Sequence, residues 1–321
     1  MTTPSGEASA CPRCSVICLT YNHAAYSAAA IASVAEQTYP NIEIIVVDDG
    51  STDGNADIVE AALKSCGRPY KFLRQENTGN IAMNMNRGIA AATGDYMSMF
   101  SLDDLLLPDC IATKMELLIA DPKLVFVANT CNMEVDGAGR VTDPLYKSGL
   151  YELEIATAEA LLELEFEHIG LLYMQGVVIS AHVVRAIKGY DEDLKGDDLI
   201  IRTKIFRHMQ AHPELGFCLL HRPGVQYRKH SENIHRNSWR QVKLALEWRD
   251  RFFPDRSMPH LWRVWVVRAL KTSIAEGDMD TVTTMTSEHS EISEVYNGYR
   301  GSWKFWRNMA KNKIRQLFAR A

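Results

Sequence analysis

No run of eighteen apolar residues occurs anywhere in this chain of 321 residues, so no membrane-spanning helix is expected. The opening M-T-T-P-S-G-E-A-S-A lacks the basic start and apolar centre of a secretory signal. Residues 1–11 are therefore read as a short disordered leader, and the protein as cytoplasmic. A strong charge excess is also missing. A net charge of −5 gives none of the basic footprint that nucleic-acid binding requires, and no nucleic-acid partner is expected. The seven cysteines are odd in number and scattered. Cys11 and Cys14 form a lone C-P-R-C with no second pair to complete a zinc site. The pair leads into a strand rather than a helix start, which argues against a redox motif, so the thiols are read as incidental. Neither G-x-G-x-x-G nor G-x-x-x-x-G-K-[ST] appears, which disfavours a dinucleotide fingerprint and a P-loop.

What is present is organised around Gly94 to Pro108, G-D-Y-M-S-M-F-S-L-D-D-L-L-L-P. Tyr96 to Phe100 reads as a strand buried on both faces, stopping sharply at Asp103 and Asp104. Adjacent carboxylates raise each other's pKa unless a cation relieves them, and oxygen ligands suit a hard divalent ion such as magnesium or manganese. The plain alternative is a turn, or a cap for a helix over residues 108–120. Before this stretch the chain alternates. Residues 14–19 form an apolar strand ending in T-Y-N-H, followed by an Ala-rich helix from Tyr26 to Gln37. I-E-I-I-V-V is a second strand ending in D-D-G-S-T-D-G. A helix over Asn55–Ser65, a strand over Tyr70–Leu73 and a helix over Asn77–Ala92 follow. That alternation predicts a mainly parallel sheet with helices on both faces.

In such sheets ligands bind where the strands end. The ends here deliver Thr20-Tyr21-Asn22, Asp48-Asp49-Gly50-Ser51 and Asp103-Asp104 to one crevice, a suitable place for a nucleotide carrying a diphosphate. Tyr21 can stack on a base, Asp49 can accept from base N–H or ribose hydroxyl groups, and the acids after the fourth strand can hold a cation on the diphosphate.

Four blocks in order, S-V-I-C-L-T-Y-N, E-I-I-V-V-D-D-G-S-T-D, E-N-T-G-N-I-A-M-N-M-N-R-G-I and G-D-Y-M-S-M-F-S-L-D-D-x-x-x-P, resemble glycosyltransferase family 2. The resemblance implies the A-type glycosyltransferase fold: Rossmann-like, α/β, with a mainly parallel central sheet. It also implies transfer of a sugar from a nucleotide-diphosphate donor, best guessed as a uridine diphosphate sugar, with inversion at the anomeric carbon. Two departures stand out. Ser101 occupies the first acidic position of the family's metal motif, leaving metal binding mainly to Asp103. Met85 stands where the family often has Arg before Asn86, and Arg87 is the candidate substitute. Thr20, Asn86 and Arg87 are expected to line the donor site.

Beyond Pro108 the sequence predicts a helix to about Ala120, a strand from Lys123 to Thr130, a turn at Asp136–Gly139 and an irregular stretch over 140–165 that becomes helical at Ala156. A strand over Met174–Ser180 and a short helix over Val183–Lys188 follow. G-Y-D-E-D-L-K-G-D-D-L-I-I-R resembles the family's catalytic-base segment with residues deleted. An acceptor hydroxyl needs a carboxylate to remove its proton, and Asp197 or Asp198 is the candidate, with Asp197 preferred. The alternative role for this pair is a helix cap. After a strand near Gly216–His221, Y-R-K-H-S-E-N-I resembles the block following the last core strand. Arg228 there can neutralise phosphate charge, and His230 can ligate the metal or serve structure alone.

The catalytic domain is placed at residues 12–238 and a helical extension at 239–321, with helices over 241–252, 262–276 and 281–288. From Tyr299 to Ala321 seven Lys and Arg residues occur with no acid, and Trp303, Trp306, Met309, Ile314, Leu317 and Phe318 recur at near-helical spacing. This basic amphipathic helix suits either an anionic membrane surface or docking on the domain. The acceptor is expected to be a glycan or lipid-linked glycan in cell-surface polysaccharide synthesis. The rival readings are a nucleotidyltransferase, whose glycine-rich first loop T-Y-N-H does not supply, and a catalytically silent nucleotide- or glycan-binding module.

Overall fold

Two short runs rich in β-branched residues set the centre of the molecule. S-V-I-C-L and I-E-I-I-V-V form β1 (Cys14–Thr20) and β2 (Ile42–Asp48), paired in parallel from Cys14↔Ile42 to Thr20↔Asp48, and every residue of β2 is buried. Strands buried on both faces read as continuous apolar runs, as these do. The computed structural model describes residues 11–194, 198–230, 238–302 and 305–307. Between and after the first two strands come α1 (Ser27–Ala35), α2 (Asn55–Ser65), β3 (Tyr70–Arg74), α3 (Ile81–Ala91) and β4 (Tyr96–Ser101). β3, β2, β1 and β4 lie side by side in parallel. Then follow β5 (Leu105–Leu106), α4 (Cys110–Ala120), β6 (Leu124–Asp136), β7 (Val141–Lys147), α5 (Ala158–His168), β8 (Val178–Ser180), α6 (Ala181–Ala186), α7 (Asp198–Ala211) and β9 (Gly216–Lys229). The sheet order is β3-β2-β1-β4-β8-β6-β9-β5, with β7 on β6. β8 runs antiparallel to both β4 and β6, β6 is parallel to β9, and β5 and β7 are antiparallel to their neighbours. The first half is thus the doubly wound parallel sheet expected from the sequence, and the second half is mixed.

Two segments differ from their sequence reading. Residues 141–147, expected irregular, form β7 even though Pro144 lies within it. The strand pairs only with β6, and an edge strand tolerates a residue that cannot donate to a ladder. β6 and β9 are also much longer than expected, with register shifts at several points that let each bend. Helix α3 presses against β1 so closely that a Cβ on Gly88 would lie 2.3 Å from Ile17 Cγ2, so this crossing accepts only glycine. All seven cysteines are free, and burial pushes the thiols of Cys14 and Cys18 up, consistent with an inert core role.

Where β2 begins, a buried acid ties three segments together. Glu43 Oε1 accepts from Ser15 Oγ at 2.5 Å, Thr93 N at 2.7 Å and Thr93 Oγ1 at 2.9 Å. Burial alone would raise its pKa; these hydrogen bonds outweigh burial and hold it below the usual range. A depressed carboxylate contributes stability that is present above its unfolded pKa, about 4.3, and lost as pH falls through the folded value. Glu43→Gln is therefore expected to cost about 1–2 kcal/mol at pH 7 by urea denaturation, with the difference closing below about pH 4. An unchanged midpoint at pH 7 would contradict the role of the charge.

By their internal contacts the residues divide into two compact units, one of Met1–Glu165 with Gly170–Ser231, the other of Phe166–Ile169 with Glu232–Ala321. The second holds α8 (Ser238–Phe252), α9 (His260–Glu276), α10 (Met279–Glu288) and α11 (Ser290–Arg300). Its centre is aromatic: Phe166, Trp248 and Phe253 have ring centroids 4.8–5.7 Å apart, and Arg256 caps Phe166 at 3.6 Å. Trp262 is buried, donating its indole N–H to the Val242 carbonyl at 3.1 Å. Among the described residues no helix is long and apolar enough to cross a membrane. Most of the basic stretch 299–321 lies outside the described residues.

Candidate functional site

Thr20 closes β1 and is buried. Its hydroxyl accepts from Asn55 Nδ2 at 2.8 Å. Asn55 in turn accepts from Ser27 Oγ at 2.6 Å and donates to Ser51 Oγ at 3.3 Å. Thr20 thus belongs to a closed polar network under the strand ends, which fixes where the chain turns. Tyr21 emerges beyond it, 44% exposed, the only one of the predicted donor residues to present a large ring to solvent. Asn22 adopts the left-handed region at φ 54°, and its side-chain oxygen accepts from Thr52 N at 2.8 Å. A short polar side chain tolerates that conformation, which is where Asn is enriched. Asp48 Oδ1 accepts from Ser51 N at 2.9 Å, so the D-D-G-S turn is braced from both sides.

Asp49 is gripped by a third segment. Oδ1 accepts from Gln75 Nε2 at 2.9 Å, Thr78 N at 2.8 Å and Thr78 Oγ1 at 2.9 Å, and Oδ2 accepts from Gly79 N at 3.1 Å. Burial raises its pKa, but this set of donors overrides burial and holds the carboxylate below its usual range. Gly50 follows at φ 75°, and a Cβ there would lie 2.5 Å from Asn77 N. Only glycine lets the two loops approach this closely.

At the end of β4, Leu102 N bonds the Leu19 carbonyl at 3.0 Å, so Asp103 emerges beside the T-Y-N-H turn. Asp103 Oδ2 lies 3.0 Å from His230 Nε2, while Oδ1 is buried with no hydrogen-bond partner among the described residues. Burial raises the Asp103 pKa; the His230 bond, the nearby His23 ring and the neighbouring Ser101 outweigh it and hold the group below its usual range. His230 packs on Tyr26, centroids 5.3 Å apart, and lies 6.2 Å from His23. Asp104 turns the other way. It is 1% exposed, its Oδ1 accepts from Arg228 N at 2.7 Å, and burial together with Asp103 pushes its pKa well above the carboxylate range. Arg228 donates from Nε to the Asp103 carbonyl at 2.9 Å and from Nη1 to the Asp136 and Gly137 carbonyls at 3.2 Å, its plane over Tyr26 at 4.8 Å. Its side chain therefore binds the acidic loop to the β6–β7 turn.

The candidate base segment reaches the crevice through α3. Asn80 caps α3, its side-chain oxygen accepting from Met83 N at 3.2 Å, and it donates Nδ2 to the Glu192 carbonyl at 2.9 Å. Asn86 accepts from Tyr190 N at 2.8 Å and donates to the Tyr190 carbonyl and to Glu192 Oε1, each at 2.9 Å. Asn86 is thus engaged with the 190–192 segment, and Arg87 lies exposed on α3. Since Gly79, next to Asn80, holds Asp49, the Asp49 loop and the 190–194 segment meet at the start of one helix. Asp198 is the first residue of α7, in its first turn, where the helix dipole favours an acid. Asp197 lies outside the described residues. Among the described residues no group of three or more His, Cys, Asp or Glu side chains converges as a metal cage.

Ser27, Asn55, Gln75, Thr78, His23 and Tyr26 complete the site and were not singled out by sequence. Their types are common in turns and helix starts, and only the pairing across strands reveals their work.

Residues 15–165 match the family described as Glycosyl transferase family 2. The chain is 36% identical over 124 residues to the glycosyltransferase GlyG of Streptococcus pneumoniae, covering 38% of this chain and 41% of that one. It is 41% identical over 108 residues to an uncharacterized glycosyltransferase of Rickettsia felis, covering 34% of this chain and 17% of that one. The match thus spans less than half the length of these curated relatives. Among solved structures it is similar to S. aureus TarS 1-349 in complex with UDP-GlcNAc, with a TM-score of 0.55, 17% identity, and 81% and 72% of the two chains covered. It is also similar to the mannosyltransferase PcManGT from Pyrobaculum calidifontis in complex with GDP-Man and Mn2+, with a TM-score of 0.54, 17% identity, and 97% and 88% covered. These likenesses carry the fold, which is the A-type glycosyltransferase fold. The four blocks that fall in order on the strand ends lie within residues 15–165, the part of the chain that matches the Glycosyl transferase family 2 model.

Proposed function

We propose that the chain transfers a sugar from a nucleotide-diphosphate donor to a hydroxyl of a glycan or lipid-linked glycan, with inversion. The observation that carries this reading is Asp103: one carboxylate oxygen held by His230, the other buried and unpartnered, at the crevice where Asp49 is also fixed. A buried carboxylate kept ionised with a vacant lone pair fits a hard divalent cation, Mn2+ or Mg2+. Such an ion takes one or two protein ligands and completes its shell on substrate phosphates. Asp103 and His230 would hold it; Asp104, turned to the Arg228 amide, is not needed. When bound, the cation neutralises charge on the departing diphosphate.

The chain's own residues set up the rest. Tyr21 offers its exposed face to the base, while Asp49, held ionised by its donors, accepts from base or ribose. Asp197 or Asp198 takes the proton of the acceptor hydroxyl as its oxygen bonds to the anomeric carbon. In the same displacement the bond from the anomeric carbon to the diphosphate breaks, its electron pair leaving on the diphosphate. A uridine diphosphate sugar is the preferred donor by family resemblance, and TarS in complex with UDP-GlcNAc supports it. Residues 12–238 form the catalytic part in this reading. Residues 239–321 are the helical extension, whose basic end would meet an anionic membrane at the cytoplasmic face.

Titration of UDP by calorimetry, with and without Mn2+, followed by a transfer assay over a set of nucleotide sugars, tests the proposal. Manganese is expected to tighten UDP binding tenfold or more. Asp49→Ala is expected to weaken UDP by a further factor of ten, which is about 1.4 kcal/mol. UDP binding without turnover of any donor would favour the silent module instead.

A further inference from the structure

Asn132 lies in the middle of β6, only 1% exposed, and among the described residues neither its amide nitrogen nor its carbonyl oxygen has a hydrogen-bond partner. Buried polar atoms are almost always paired, so an amide unpaired at both ends calls for a ligand to explain it. Its surroundings are distinctive. Asn132 is opposite Tyr146 of β7, and Glu134, beyond a register shift in the same strand, is opposite Tyr227 of β9. Tyr146 and Tyr173 have ring centroids 6.1 Å apart. Lys229 sits 4.8 Å over the Tyr146 ring and pairs with Glu134. The cluster adjoins the proposed transfer site. Tyr227 immediately precedes Arg228, whose backbone N–H binds Asp104 and whose Nε binds the Asp103 carbonyl. The Tyr227 phenol is pushed up first by burial and then by Asp104 and Asp103, which shows that the acids and the ring share one neighbourhood.

We propose that Asn132, Tyr146, Tyr173 and Tyr227 form the subsite for the acceptor, and that the acceptor unit bound there is a pyranose with two adjacent free hydroxyls. This inference rests on the sugar-transfer reading above. The amide suits that occupant because its NH2 donates to one hydroxyl while its oxygen accepts from the next. The tyrosine rings supply flat apolar area for the C–H face of a sugar ring, and Glu134 adds a further acceptor. A lipid chain would have no use for the amide, and a free phosphate none for the rings.

The probes are methyl glycosides of glucose, galactose, mannose, rhamnose and N-acetylglucosamine, with cyclohexanol as the apolar ring control. Saturation-transfer NMR would be run on the full chain with UDP and Mg2+. At least one glycoside, and not cyclohexanol, is expected to receive saturation from the protein. Asn132→Leu is expected to reduce that signal tenfold or more and yet raise Tm by roughly 2–4 °C, because an unpaired buried amide is replaced by an apolar group of similar volume. Its UDP affinity should be unchanged. Tyr173→Leu should also cut the glycoside signal with UDP affinity intact. The subsite is overturned if the unaltered protein binds UDP but no glycoside, or if Asn132→Leu keeps the glycoside signal, or if that variant melts lower. Failure of the unaltered protein to bind UDP would remove the transfer reading itself, and the subsite with it.

Discussion

Asp103→Asn is expected to slow sugar transfer by three orders of magnitude or more while the protein still folds. A thousandfold corresponds to about 4 kcal/mol of transition-state stabilisation, within the several kcal/mol that a cation opposite a leaving group supplies. Asparagine keeps the shape and retains an oxygen for His230, but it removes the charge that would draw a cation to the unpartnered Oδ1. It also removes the repulsion that, together with burial, pushes the Asp104 carboxyl upward, which offsets part of the support lost with the depressed Asp103 carboxylate. Calorimetry should show UDP binding little changed in the absence of metal and the manganese enhancement gone. Transfer within tenfold of the parent, with the enhancement intact, would place the cation elsewhere.

The second large effect is assigned to the acid pair Asp197 and Asp198. Asp197→Asn is expected to lower kcat by roughly a hundred- to ten-thousandfold, the range for removing a general base, with donor affinity retained. Asp198→Asn is expected to cost less than tenfold. Asp198 occupies the first turn of α7, where its charge answers the helix dipole, and asparagine fits that position with a loss of at most about 1 kcal/mol. A reversed ranking would make Asp198 the base, and two near-neutral variants would eliminate both. Donor hydrolysis in the absence of acceptor separates base loss from misfolding, since cation and diphosphate contacts stay in place.

The strand framework was plain in the sequence because β1, β2 and β4 are buried on both faces, and burial on both faces writes itself as an uninterrupted apolar run. The places where those runs stop were equally plain, and they carry Tyr21, Asp49 and Asp103. The partners of those residues were not. Asp104 meets the amide of a residue 124 positions away and Asn86 meets Tyr190 104 positions away, separations over which no periodicity speaks. Thr20 could be placed at a strand end from sequence, but not the hydrogen bond its hydroxyl accepts from Asn55. β7 was hidden by Pro144, which signals a break in a central strand and is admitted at an edge. Asn132 gave no sign at all, since one Asn in an apolar run reads as a loop residue until both of its amide ends are found unpaired.

The asparagines of α3 act at a fixed phase. Asn80 and Asn86 stand six residues apart and seize the same short segment, while the amides just before Asn80 hold Asp49. Each residue added between them would advance the helix by about 1.5 Å and swing it by about 100°, carrying Asn86 away from Tyr190. In the proposed mechanism this interval would act as a ruler between the Asp49 loop and the segment preceding the candidate base. Loops elsewhere in the chain are free to drift in length, but insertions or deletions between 80 and 86 should uncouple the two halves of the reaction even where every individual side chain is retained.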